Sequence, residues 1–98
     1  MATKARLLFH RKRHYDDGAI LEMKLWRVPI AVPGSQHALK YSLYYGRDGE
    51  RLVGYDNERG KGDHRHYGGR EAPYIFVSAA VLIDDFLADV EILRGGSL

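Results

Sequence analysis

The chain is predicted to be α+β: an antiparallel meander of four or five strands with one C-terminal α-helix packed on one face. Three observations lead there. Short runs of alternating apolar and polar residues recur from Leu7 to Tyr55. Asp-Gly pairs, the strongest short hairpin signal, separate two pairs of those runs. The last third carries a single apolar stripe at helical spacing, closed by Gly95-Gly96.

The first run, Lys4–Tyr15, alternates Leu7 and Phe9 with Leu8 and His10 and ends in the basic segment Arg11-Lys12-Arg13-His14. Such a segment reads as a solvated strand end or as a contact for phosphates. Asp16-Asp17-Gly18 then turns the chain into Ala19–Val28. There Leu21, Met23 and Leu25 share the core face, while Trp26 falls on the other. Pro29 to Gln36 is a loop. Ala38–Arg47 and Glu50–Asp56 make a second hairpin around Asp48-Gly49, with Tyr41, Leu43 and Tyr45 on one face. Its tyrosines suit a half-wet sheet, where the ring packs and the hydroxyl stays solvated. Pro73–Val77 is a further short strand. Ser78 is the N-cap of the helix, with Val77 and Leu82 placed for a hydrophobic staple. Leu82, Ile83, Phe86, Val90 and Leu93 form its apolar stripe.

At 98 residues the chain is read as a single domain, 1–98. There is no cysteine, which excludes disulfides and thiolate metal sites and agrees with a cytoplasmic location. Neither a signal peptide nor a membrane-spanning run is evident. The net charge of +2 is uneven: residues 1–27 carry seven Lys/Arg against three Asp/Glu, and residues 71–98 one against five. A basic sheet and an acidic helix follow. Either the sheet meets an anionic partner, or the two portions complement each other within the fold.

Asp56–Tyr74, DNERGKGDHRHYGGREAPY, is the candidate functional site. It holds four glycines, two histidines and charges of both signs, a composition suited to a loop that turns sharply or approaches a ligand. RNA cleavage by 2′-hydroxyl attack on the neighbouring phosphate needs a base, an acid and cations. His64 and His66 are the candidate acid and base, with Lys61, Arg65 and Arg70 as phosphate binders and Asp56 and Asp63 beside them. In extended backbone the histidines face one way and Lys61, Asp63 and Arg65 the other; the glycines are where the chain could bend to reunite them. No metal or other cofactor is expected on this reading. Two alternatives stay open. One is a non-catalytic surface for nucleic acid or a protein partner. The other is a metal held by Asp63, His64 and His66, with Asp56 or Glu58 added. A purely structural role also fits, with Asp56, Asn57 and Asp63 satisfying backbone amides of turns.

The run YYGRDGERLVGYDNERGKGDHRHYGGREAPYIFVS, Tyr44–Ser78, resembles the TumE-like family, the toxin partners of bacterial toxin–antitoxin pairs. The likeness extends to the first hairpin and to VPGS at Val32–Ser35, and is most specific over Tyr55–His66. It implies a toxin subunit paired with a helix-turn-helix antitoxin. It carries over no assignment of catalytic residues.

Overall fold

The computed structural model describes residues 4–58 and 60–96; Arg59, within the family-like stretch, lies outside them. Six strands, β1 (Arg6–His14), β2 (Ala19–Arg27), β3 (Leu39–Arg47), β4 (Glu50–Asp56), β5 (His64–Tyr67) and β6 (Arg70–Pro73), are followed by α1 (Ala79–Leu93). The sheet is an antiparallel meander in strand order 1-2-3-4-5-6. The α+β class holds, with one hairpin more than the apolar alternation announces. That hairpin, β5–β6, sits inside the glycine-rich stretch. Gly68 and Gly69 both have positive φ, 56° and 83°, the conformation a two-residue turn between twisted strands demands.

The predicted strand at Pro73–Val77 is not formed. β6 ends at Pro73, and residues 74–78 cross to the helix without strand structure. Ile75 and Val77 remain 85% and 68% exposed. Val77 therefore does not act as a staple. Ser78 does cap the helix: its side chain accepts from Val81 N at 3.1 Å. At the far end Gly96 N donates to Glu91 O and Gly95 N to Ile92 O, the paired bonds of a Schellman motif.

The core follows the predicted faces, except at the helix end: Leu93 of the predicted stripe is 45% exposed, in the last turn of α1, and Ile83 is only partly buried. Leu21, Met23 and Leu25 of β2, Leu43 of β3 and Leu82, Phe86 and Val90 of α1 lie in one buried cluster, joined by Tyr41, Tyr45, Val53 and Tyr55. Phe86 meets the Tyr55 ring edge-to-face. α1 packs along β4, so among the described residues the opposite sheet face carries no helix. Polar ties reinforce the packing. Asp89, almost fully buried, takes both nitrogens of the Arg65 fork at 2.8 and 3.0 Å and the Tyr55 hydroxyl at 2.6 Å. Arg94 reaches back to Asp17 and the Tyr45 hydroxyl. Part of the acidic helix thus complements basic sheet residues within the fold. No helix among the described residues is long and apolar enough to cross a membrane.

Candidate functional site

Strand pairing decides which charged residues meet. In β4–β5, Asp56 lies opposite His64, and Gly54 opposite His66; in β5–β6, His66 lies opposite Glu71. Directly opposed residues share a sheet face. Asp56, His64, His66 and Glu71 therefore gather on the face that the helix leaves open.

His64 is buried and hydrogen-bonded through one nitrogen. Its Nδ1 lies 2.9 Å from Gly62 O and its Nε2 2.7 Å from Asp56 Oδ1. His66 is half-buried, with its ring 5.0 Å from that of His64. Arg51 Nη2 donates to His66 Nδ1 at 2.9 Å. Gly54 makes that reach possible: a Cβ there would lie 2.7 Å from Arg51 Cδ. Burial pushes the His66 pKa down, and the neighbouring Arg51 charge lowers it further, against the smaller pull of Glu71 and Asp56. Because a guanidinium can only donate, His66 Nδ1 accepts, and the ring in this contact is the neutral imidazole. Glu71 stands at the rim, its two oxygens each 3.7 Å from a histidine nitrogen. Lys61 is exposed, 3.9 Å from Glu71, and lines an open cleft with His64, Glu71, Ala72 and Pro73.

The other predicted site residues are elsewhere. Arg65 projects to the helix side, committed to Asp89. Arg70 is exposed opposite Tyr67 on that same side. The glycines do not bend the chain to reunite Arg65 with the histidines. Asp63 also leaves the cluster. It accepts from the Ser35 hydroxyl, His37 Nε2 and the Tyr41 hydroxyl, each at 2.7 Å. Asn57 completes that knot by accepting from Tyr41 N and donating to Leu39 O and Ser35 Oγ. The knot clamps the 29–38 loop to the glycine-rich segment. They approach so closely that a Cβ on Gly62 would sit 2.7 Å from Gly34 O. The metal set drawn from sequence, with Asp63 as a ligand, is therefore not assembled; Asp56 takes its place beside the histidines.

Arg51 and Glu71 are site residues the sequence reading missed. Gly54 was the available signal, since a glycine inside a strand marks a close approach.

Two predictions concern residues outside the cluster. Removing the Arg65 fork by Arg65→Ala should cost about 1–3 kcal/mol, below the full cost of a buried pair because Arg65 is 37% exposed. A lowered Tm is the expected result; an unchanged Tm would show that the Arg65–Asp89 pair does not tie α1 to the sheet. Asp63 is pushed up by burial, but the bonds from Tyr41, Ser35 and His37 outweigh this and hold its pKa below the ordinary 3.8. A depressed folded pKa contributes stability that is complete above the unfolded value, about pH 4, and is lost as the pH falls through the folded one. Asp63→Asn should flatten that acid limb in melts recorded from neutral to acidic pH. An acid limb unchanged in the variant would show that the knot is not its source.

A family model described as Toxin TumE matches residues 4–94. No curated protein and no solved structure matches the chain.

Proposed function

The chain belongs to the TumE toxin family, and from that premise we propose that it acts on RNA, cleaving it at the Asp56–His64–His66 cluster. One observation supports this above the rest. Two cross-strand rows run over the open face from basic β1 to the cluster. The first is His10, Lys24, Ser42, Asp56, His64; the second is Lys12, Glu22, Tyr44, Gly54, His66. At roughly 4.8 Å between strands, each row spans about 19 Å, room for several nucleotides. Trp26, with Lys40 over its ring, borders the same face. Cations that track a backbone beside aromatic rings suit a single strand of nucleic acid.

At the far end of the rows the chemistry concentrates. Arg51 and Lys61 can neutralise a phosphate and the charge that develops on it. The neutral His66 imidazole offers a lone pair once Arg51 shifts to an incoming phosphate. His64, buried and bonded through Nδ1 to Gly62 O, orients the group.

The test is incubation of the purified protein with RNA. Cleavage is expected, and Lys61→Ala should weaken binding and reduce the salt slope by about one. RNA bound but never cut would favour a binding module. RNA neither bound nor cut would overturn the reading.

Family membership implies an antitoxin partner. We propose a helix-turn-helix protein in that role. Co-expressed with the chain, it should co-elute in size-exclusion chromatography; separate elution at micromolar concentration would dismiss it.

A further inference from the structure

The contact between His64 and Asp56 is unusual. Gly62 O can only accept, so His64 Nδ1 carries the hydrogen of their 2.9 Å bond. The other nitrogen, Nε2, lies 2.7 Å from Asp56 Oδ1. That oxygen is buried and has no hydrogen-bond partner among the described residues; the approach is close but off the line a hydrogen bond requires. A buried carboxylate oxygen and an imidazole nitrogen this close, with no hydrogen bond between them, are placed as neighbouring ligands of one cation are.

The third group is His66. One ligand atom from each of Asp56, His64 and His66 falls within 4.8 Å of the others. Modest side-chain rotations therefore suffice to bring all three to bonding distance of one ion. We infer that Asp56, His64 and His66 form a binding site for a first-row divalent cation of the zinc or manganese kind. Two imidazoles in a set of three select against magnesium and calcium, which prefer oxygen. The support around the set is of the right kind. A histidine that ligates a metal donates its other ring N–H to a carbonyl or carboxylate, as His64 does to Gly62 O. Glu71, 3.7 Å from both histidines, stands where a further oxygen could join. Three protein ligands otherwise leave a position for water or a phosphate oxygen.

Arg51 is the competitor. While it donates to His66 Nδ1, the neutral ring carries its hydrogen on Nε2, so neither nitrogen can ligate. Loading needs Arg51 to let go, whichever nitrogen binds. Arg51 is exposed and can swing to a phosphate. Ion and nucleic acid would then enter the site together. That coupling rests on the RNA reading above; the site itself does not.

The experiment uses the full chain, stripped with a chelator and dialysed, then titrated with Zn2+ by calorimetry and with Co2+ by visible absorption. One ion per chain is expected, with a rise in Tm on loading. Asp56→Asn and His66→Ala should each weaken binding at least tenfold with the unloaded Tm nearly unchanged, and His10→Ala should bind as wild type. Arg51→Ala should bind more tightly, because it removes a cation and frees the His66 lone pair. No saturable binding, or binding unaffected by both ligand-site variants, overturns the inference. RNA cleavage is measured on the same samples. An ion bound by a protein that never cuts RNA leaves the site standing and removes the RNA reading. Full cleavage by stripped protein that binds no ion does the opposite.

Discussion

His66→Ala is expected, on the proposed RNA-cleaving reading, to lower the rate of cleavage by about 10²–10⁴-fold, the range for losing a group that moves a proton. Loss of a metal ligand would also reduce the rate steeply. His66 sits at the mouth of the cluster, its side chain 15% exposed and bonded to the exposed Arg51. Its loss removes one hydrogen bond to an exposed partner and part of the burial of one ring, so the substitution should cost about 1 kcal/mol. The pairing of a large rate effect with a small stability effect makes the variant informative. His64→Ala is the poorer probe, because His64 is buried against Gly62 and Asp56. Its loss would disturb the corner joining β4 to β5 and confuse chemistry with folding. Single-turnover cleavage of one defined RNA, with a melt of each protein, decides the matter. A wild-type rate in His66→Ala would remove the cluster from the reaction.

Phe86→Ala should cost about 3–5 kcal/mol, the usual range for truncating a buried aromatic residue. Phe86 is wholly buried at the middle turn of α1, between Leu82 and Val90, and meets Tyr55 edge-to-face. Nothing nearby can collapse into the space without moving the helix, because Asp89 one turn on is tied to Arg65 and Tyr55. For a domain of this size the loss corresponds to a fall in Tm of roughly ten degrees or more. Denaturant unfolding, with unchanged m-value, would report it directly. An unchanged midpoint would mean that α1 does not pack on β4 as described.

Apolar period alone marks much of the fold. Leu21, Met23 and Leu25 recur at period two and Leu82, Phe86 and Val90 at helical spacing, and all six are buried. Local chemistry marked the ends: Ser78 as N-cap, Gly95-Gly96 as helix stop, and Asp48-Gly49, both at positive φ, as a turn. These features are legible because each depends on a few neighbouring residues and on the exclusion of water from one face. β5 and β6 were not, because four-residue strands of polar side chains carry no apolar alternation.

The site divides in the same way. That His64 and His66 share a face, and that Arg65 leaves it, follows from the alternation of any strand. Which carboxylate joins the histidines does not. Asp63 is adjacent to His64 in the chain, yet three hydrogen-bond donors from Ser35, His37 and Tyr41 draw it away. Asp56, eight positions before His64, is brought opposite it by the β4–β5 register. Arg51 arrives by a register shift in β3–β4 and over the space left by Gly54. Register is set by pairing between strands, and a slip of one residue would send each of these side chains to the other face. The amino-acid sequence alone determined which groups could do chemistry; only the tertiary structure decided which of them meet.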